Sequence, residues 1–275
     1  SIDTTTGGKL RAVFLAFVMV TSVIAVGMAF SGTSAAAVAE NGGIQTTQPV
    51  QPSESTTIQV DTTGTAASAD VIIGIDADGD STIQSDEVVT VGTSTQSSTD
   101  TFSFLPNAAA ELDSSSDDSF TVAVIEDTTG SNTDGNDDES PFDVSSAGAT
   151  DTLNVDGVSP TLQSAVKTGP VTYTLTFSEP VGADGAAGGT FSDTEGNDFD
   201  YFNVNSADAN ENFNSVSGAG SSTVSVDMTN TISNNDLGVD QIAAVSAEVT
   251  DAAGNQAPGT AVTVQSSSLA GGGDG

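Results

Sequence analysis

Apolar residues recur at every second position in six separate segments of this sequence. The clearest segment is 171–177, where Val, Tyr, Leu and Phe alternate with Thr without a break. A period of two places alternate side chains on opposite faces of an extended chain, and Thr and Val favour that conformation, so the pattern predicts half-buried β-strands. The other five segments are 71–75, 120–124, 224–228, 243–249 and 262–264.

Turn-forming Gly, Asn, Asp and Ser separate these segments, and a short turn at 107–112 is the one helical pattern after residue 39. Short strands between turns predict an all-β fold of the sandwich type. The strands fall into two sets of about 100 residues, the usual size of one β-sandwich. We predict a first β-sandwich at 56–155 and a second at 156–265, with a Pro- and Thr-rich linker at 40–55 and a Ser/Gly-rich tail at 266–275.

The N-terminal region has the three parts of an export signal. Lys9 and Arg11 supply a short positive segment, residues 12–30 are uncharged and apolar, and 31–39 are mostly small. The A-x-A tripeptide at 37–39 fits a cleavage site, and 35–37 is a second candidate. We predict a helical signal peptide at 1–39, and hence a secreted protein without membrane association after cleavage. The alternative is a retained anchor helix, since about 20 apolar residues span a bilayer.

The leader also carries a family resemblance. Residues 9–37, KLRAVFLAFVMVTSVIAVGMAFSGTSAAA, resemble the signal peptides of haloarchaeal S-layer and surface glycoproteins. Those signals combine a K-x-R-A start, a core rich in Val and Leu, and an alanine tail. The resemblance implies export to the cell surface of a halophilic archaeon.

The balance of charges is extreme, with 38 Asp and Glu residues against 3 Lys and Arg, a net charge of −35. Such a surface repels itself at low salt, whereas in about 1 M salt the Debye length is about 3 Å and the repulsion is largely screened. The charge therefore independently indicates a halophilic protein. It also argues against a binding surface for nucleic acid or anionic lipid, because two of the three cations lie in the leader.

The residue types that most enzymes use are missing. The sequence has no His and no Cys, so it lacks the commonest general base, the thiolate nucleophile and the usual zinc ligands. A site for sugars is also poorly supported, since there is no Trp and only two Tyr. We predict a non-enzymatic protein.

Three short motifs in the second module carry another resemblance. VSPTL at 158–162, LTFSEPV at 175–181 and VTDAAGN at 249–255 are similar to segments of the bacterial Ig-like domains of S-layer proteins and large adhesins. The resemblance covers the second module and implies a spacer or adhesive module. Together with the strand pattern of the first module, it leads us to predict an all-β chain of two tandem Ig-like β-sandwich domains after the signal helix. Pro180 is expected to stop a strand, and Asp251 and Asn255 to form an Asx-type turn.

The strongest motif for chemistry is the segment 76–87, DADGDSTIQSDE, which follows a predicted strand. It matches the spacing of a calcium-binding loop, in which oxygen ligands occupy positions 1, 3, 5, 7, 9 and 12. Ser81 departs from the pattern, because a glycine is expected at position six. The predicted Ca²⁺ ligands are Asp76, Asp78, Asp80, the carbonyl of Thr82, Gln84 through water, and a bidentate Glu87.

The alternative for this segment is an ordinary acidic hairpin turn, since chance matches are easier in so acidic a chain. The acidic segments 134–139 and 193–198 are weaker candidates for cation binding.

These observations together predict a secreted structural or adhesive protein of the cell surface, S-layer-like and built of Ig-like modules. Its expected partners are other cell-surface proteins or glycans, or further copies of itself in a surface layer. Two rival functions remain. One is a pilus-like filament subunit that keeps its hydrophobic helix, and the other is an accessory domain fragment of an extracellular hydrolase.

Overall fold

The structure is a computed structural model of the chain. It describes residues 38–128, 140–183, 189–194, 196–204 and 212–267. They belong to the second of the two compact units into which the chain divides, Ser1–Ala35 and Ala36–Gly275. Apart from two three-residue 3₁₀ helices, Pro106–Ala108 and Val144–Ser146, the regular elements of the described residues are all β-strands. The predicted all-β fold, with two successive sets of strands, is confirmed, whereas the predicted signal helix lies outside the described residues.

Two antiparallel sheets form the first module. One has the strand order β1-β2-β6 and the other β5-β3-β7-β9. Apolar residues from both sheets, such as Ile58 and Val60 on one and Val71, Ile73 and Val124 on the other, meet in one buried cluster, as in a β-sandwich. The strands are β1 (Ala39–Ile44), β2 (Thr56–Asp61), β3 (Asp70–Asp76), β4 (Thr82–Ile83), β5 (Val88–Thr93), β6 (Asp100–Phe104), β7 (Asp117–Glu126), β8 (Phe142–Asp143) and β9 (Ala149–Asp156).

Strand β3 is buried on both of its faces. It lies between β5 and β7, and every one of its residues is buried. Its inward side chains join the sandwich core, whereas Ile72 points the other way and packs with Ile83, Ala123 and Phe142. The small sheet of β4 and β8 covers this outer face, with Ile83 opposite Phe142. The sequence between β3 and β5 is thereby folded back over the sheet.

The predicted linker at 40–55 is corrected by the structure, because part of it belongs to the first module. Glu40 pairs with Val60 as β1 runs antiparallel to β2, and Val50 forms a parallel bridge with Val155 in the core. Val38, which falls within the predicted leader, is also buried in this core at 1% exposure. β1 has no alternating pattern and is held by its backbone pairing, so periodicity could not predict it.

The second module is a single curved sheet with the strand order β12-β15-β17-β10-β11-β14-β13, and β16 pairs separately with β11. Its two arms fold onto each other, since the rings of Tyr173 on β11 and Tyr201 on β12 stack with centroids 6.1 Å apart. The first strand, β10, pairs in parallel with the last, β17. The strands are β10 (Leu162–Lys167), β11 (Thr172–Ala183), β12 (Phe199–Phe202), β13 (Phe213–Ser217), β14 (Ser221–Met228), β15 (Gln241–Ala244), β16 (Val249–Thr250) and β17 (Val262–Ser266).

Two local expectations for this module are wrong. Pro180 does not stop β11, which runs on to Ala183 through a register shift between Thr176 and Val181. Proline is tolerated there because a bulge removes the ladder hydrogen bond that it cannot donate. The alternating segment 243–249 is not one strand either, since β15 ends at Ala244, Ala247 has a φ of +82°, and extended structure resumes in β16.

Within the part of the chain that the structure describes, no helix has both the length and the apolar character needed to cross a membrane.

Candidate metal centre

The acidic segment 76–87 is a loop that leaves β3 at Asp76 and enters β5 after Glu87. Two of its residues, Gly79 with a φ of +76° and Ser81 with a φ of +69°, adopt the left-handed conformation. Ser81 occupies the position where calcium loops favour glycine, and it adopts the backbone geometry required there at some steric cost. The departure from the motif therefore does not prevent the turn.

The loop brings three of the predicted ligands together. One carboxylate oxygen from each of Asp76, Asp78 and Asp80 lies within 4.8 Å of the other two. Asp76 is 8% exposed, and the other two are on the surface. Three negative charges at this separation repel one another unless protons or a cation compensate them.

Backbone donors fix the orientation of these carboxylates. Asp76 Oδ2 accepts a hydrogen bond from the Ser81 N–H at 3.2 Å, and Asp78 Oδ1 accepts from the Asp80 N–H at 3.0 Å. Asp80 Oδ1 accepts from the Thr82 N–H at 2.7 Å, and its Oδ2 accepts from Gln84 Nε2 at 3.0 Å. The cluster is therefore tied to the loop backbone at each of its three members.

Two oxygens in the loop are buried and unused. Asp76 Oδ1 and Gln84 Oε1 accept no hydrogen bond from any residue that the structure describes. Buried oxygens of this kind are uncommon in native proteins, because the lost hydration is not replaced. A water molecule or a cation can supply the partner that these oxygens lack among the described residues.

Glu87 has a different position from the one that the motif predicts. It is 2% exposed, and its Oε1 accepts from the N–H groups of Ala77 at 2.7 Å and Asp78 at 3.3 Å. Its Oε2 accepts from the Gln84 N–H at 3.0 Å. Burial raises the pKa of Glu87, while these hydrogen bonds act in the opposite direction. The structure does not group Glu87 with the three aspartates, and it places Thr82 in β4 opposite Asp143.

The weaker candidate segments contribute less. The segment 134–139 lies outside the described residues. In 193–198, Asp193 Oδ1 accepts from the Val216 N–H at 2.7 Å, and Asp198 is buried and accepts from the Ser192 N–H. These two carboxylates serve as acceptors for neighbouring backbone groups.

A second carboxylate cluster, which the sequence analysis missed, lies where the two modules meet. It contains Asp156 at the end of β9, Glu179 in β11 and Asp251 after β16, with one oxygen from each within 4.8 Å of the others. The three residues are far apart in sequence. Glu179 lies in the LTFSEPV motif and Asp251 in the VTDAAGN motif, but neither motif indicated that their carboxylates meet.

This second cluster changes the ionisation of its members. Burial, followed by the charges of Asp156, Asp251 and Asp117, raises the pKa of Glu179 to about 7. Burial, together with the charges of Asp251 and Asp117, also raises the pKa of Asp156, against the hydrogen bond from the Val158 N–H. Protonation of Glu179 therefore removes one of the negative charges that repel one another at the junction.

The predicted Asx-type turn is present beside this cluster. Asp251 Oδ1 accepts hydrogen bonds from the N–H groups of Ala253 at 2.8 Å and Asn255 at 2.9 Å, and Gly254 has a φ of +87°. The Asn255 Nδ2 donates to Asp251 Oδ2 at 2.9 Å. Both carboxylate oxygens of Asp251 are therefore occupied by donors of its own turn.

Comparison with known proteins gives one weak structural similarity. No model of a protein family and no curated protein matches the sequence. Among solved structures, the chain is similar to the crystal structure of invasin, a bacterial integrin-binding protein, at 15% identity and a TM-score of 0.23. The similarity covers 83% of this chain and 38% of invasin, so this chain spans well under half of that protein's length. At such a TM-score the similarity carries no argument about function.

Proposed function

We propose that this chain is a secreted, non-enzymatic protein of the cell surface of a halophilic archaeon, with a structural or adhesive role of the S-layer type. The proposal is supported by the order of the parts of the chain, in which a leader predicted from the sequence precedes two tandem sets of β-strands. Tandem sandwiches serve many surface proteins as spacers and as binding modules, and they place their end loops outward. The absence of His and Cys from the sequence supports a role without catalysis.

The acidic surface supports the halophilic setting. A net charge of −35 is tolerable where molar salt screens it, and the same charge favours solubility in brine. Expected partners are other cell-surface proteins or glycans, or further copies of the chain in a surface layer. Nucleic acid and anionic membranes are unfavourable partners, because Lys167 is the one cation after the leader.

The burial of Val38 bears on where the leader is removed. Cleavage after Ala39 would take away Val38, a side chain that is 1% exposed in the core of the first module. Cleavage after the other A-x-A tripeptide, 35–37, leaves Val38 and all of β1 in the mature protein. We therefore infer that cleavage occurs after Ala37.

The test is the intact mass and the location of the protein after expression in a halophilic host. We expect it in the medium or in the salt-extractable surface fraction, with Val38 as its first residue. A product that retains residues 12–30 and assembles into filaments would support the pilus-like rival instead. A cytoplasmic product, or reproducible hydrolysis of peptide, ester or glycan substrates that one Asp or Glu substitution abolishes, would contradict the proposal.

A further inference from the structure

We propose that the loop 76–87 binds one Ca²⁺ through the carboxylates of Asp76, Asp78 and Asp80 and the side-chain carbonyl of Gln84. Glu87 is then a positioning residue that shapes the loop, and not the bidentate ligand that the motif alone predicts. This inference is independent of the cell-surface role proposed above, since it concerns the stability of the first module.

The two unused oxygens carry the argument. Asp76 is more than nine-tenths buried, and its Oδ1 accepts no hydrogen bond from the residues that the structure describes. The buried Gln84 Oε1 likewise accepts no hydrogen bond from the described residues, while the Nε2 of the same amide donates to Asp80. A buried, unpaired carboxylate oxygen next to two further carboxylates is unfavourable, and a cation is the partner that compensates all of these groups at once.

The second carboxylate cluster shows that a group of acidic side chains does not by itself indicate a metal site. At the module junction, both oxygens of the buried Asp251 accept hydrogen bonds from Ala253 and Asn255. That carboxylate is satisfied by its own turn. In the loop 76–87, by contrast, the chain supplies donors to one oxygen of Asp76 and leaves the other without any among the described residues.

The donor set fits Ca²⁺ better than other metals. All of the candidate ligands are oxygens, and three carboxylates provide more than the charge of one divalent ion. Ca²⁺ accepts six to eight oxygens in irregular geometry, so waters on the exposed side of Asp78 and Asp80 can complete its shell. Mg²⁺ demands a stricter octahedral arrangement and gives up its water reluctantly, which makes it the weaker competitor.

Glu87 has a separate task. Its two oxygens accept hydrogen bonds from the N–H groups of Ala77, Asp78 and Gln84. These bonds tie the start of the loop to its end and place the backbones of two proposed ligands. Groups that orient metal ligands in this way affect affinity without contacting the ion.

The bound ion would also secure the packing of the outer face of β3. The loop carries Ile83, which is fully buried against Ile72, Ala123 and Phe142. Because Ca²⁺ binds the closed loop and not the unfolded chain, binding is coupled to keeping Ile83 in place.

The experiment is calorimetric titration of CaCl₂ into the full chain in molar KCl, where general screening is already saturated. We expect one site with a Kd of about 10⁻⁴–10⁻³ M, the range of extracellular calcium modules. Asp76→Asn and Asp78→Asn should each weaken binding at least about tenfold. The matched control is Asp86→Asn, which removes the same charge from an exposed residue of the same loop outside the cluster and should leave the affinity unchanged.

Thermal melting with and without Ca²⁺ separates the ligands from the positioning residue. Without Ca²⁺, Asp78→Asn should melt at or above the wild-type temperature, because it removes repulsion, and should lose the Ca²⁺-dependent rise. Glu87→Gln should melt below the wild type even without Ca²⁺, because an amide nitrogen, which cannot accept a hydrogen bond, replaces one of the two buried carboxylate oxygens. Equal calcium affinity in wild type, Asp76→Asn and Asp78→Asn, or no binding by the wild type, would overturn the proposed site. An unchanged calcium-free melting temperature in Glu87→Gln would overturn the positioning role.

Discussion

The side chain of Asn255 donates a hydrogen bond of 2.8 Å to the backbone carbonyl of Asp156, a residue that lies 99 positions earlier in the chain. Asp156 ends the last strand of the first module, whereas Asn255 belongs to the turn that follows β16 in the second. The same amide donates to Asp251 at 2.9 Å and contacts Asp156 Oδ1 at 3.4 Å. One side chain thus closes the turn and joins the two modules.

Replacing this amide should weaken the junction. Asn255→Ala leaves the Asp156 carbonyl and one Asp251 oxygen without their donor, which should cost about 1–3 kcal/mol of unfolding free energy. Urea denaturation in molar KCl measures the change. The control is Asn214→Ala, at an exposed position of β13, which should have little effect. Equal stabilities of the two variants would show that the Asn255 bonds contribute nothing measurable.

The contact between Gly74 and Ile83 gives a second prediction. A Cβ added at Gly74 would lie 2.2 Å from Ile83 Cγ2, closer than any real contact, and both residues are buried. Gly74→Ala should therefore destabilise the first module by about 1–3 kcal/mol through overpacking. The control is Gly259→Ala, where the nearest atom would lie 3.5 Å from the added Cβ. This variant measures the stability gained because alanine makes the unfolded chain less flexible than glycine does.

A double-mutant cycle tests whether contact with Ile83 causes the loss of stability in Gly74→Ala. Ile83→Ala alone should cost about 2–5 kcal/mol, because it leaves a cavity under the loop. In that background Gly74→Ala should add almost nothing, since the clashing methyl group is gone. Strictly additive losses would mean that the damage at Gly74 has another origin.

The raised pKa of Glu179 predicts how stability depends on pH. Burial, and then the charges of Asp156, Asp251 and Asp117, raises this pKa from its ordinary value of 4.5 to about 7 in the folded chain. Because the folded chain holds this proton more tightly, the stabilisation is complete below pH 4.5 and is lost as the pH rises through about 7. The melting temperature in constant molar KCl should therefore fall as the pH rises across this window.

Substitution isolates the contribution of this one carboxyl. Glu179→Gln keeps a neutral side chain at every pH. Most of the fall in melting temperature as the pH rises from 4.5 through about 7 should therefore disappear in this variant. Glu248→Gln, on an exposed residue of the second module, should retain the wild-type slope. A wild-type slope that Glu179→Gln leaves unchanged would contradict the assignment.

The net charge of −35 predicts a strong dependence on salt. We expect the chain to fold in molar KCl or NaCl and to lose its β-type circular dichroism on dialysis to low salt, because the Debye length grows from about 3 Å at 1 M to about 10 Å at 0.1 M. The two salts should act alike, since screening depends on ionic strength. A melting temperature that stays constant between about 0.1 and 3 M salt would rule out this explanation.

Local sequence is sufficient to predict the strands whose two faces differ. In β11, Tyr173, Leu175 and Phe177 are buried while the threonines between them are half-buried, as the alternation requires. Local sequence also predicts the turn at Asp251, because an Asx-type turn depends on residues close together in the chain. The spacing of Asp76, Asp78 and Asp80 is equally local, so it is enough to bring these carboxylates together.

Other features depend on distant neighbours and emerge only when the chain is folded. β1 exists because β2 pairs with it, and β11 continues past Pro180 because a register shift accommodates it. The position of Glu87 follows from the closing of the loop, which turns its carboxylate toward backbone N–H groups. The junction of Asp156, Glu179 and Asp251 has no sequence signature, since long-range packing brings together residues that no local periodicity relates.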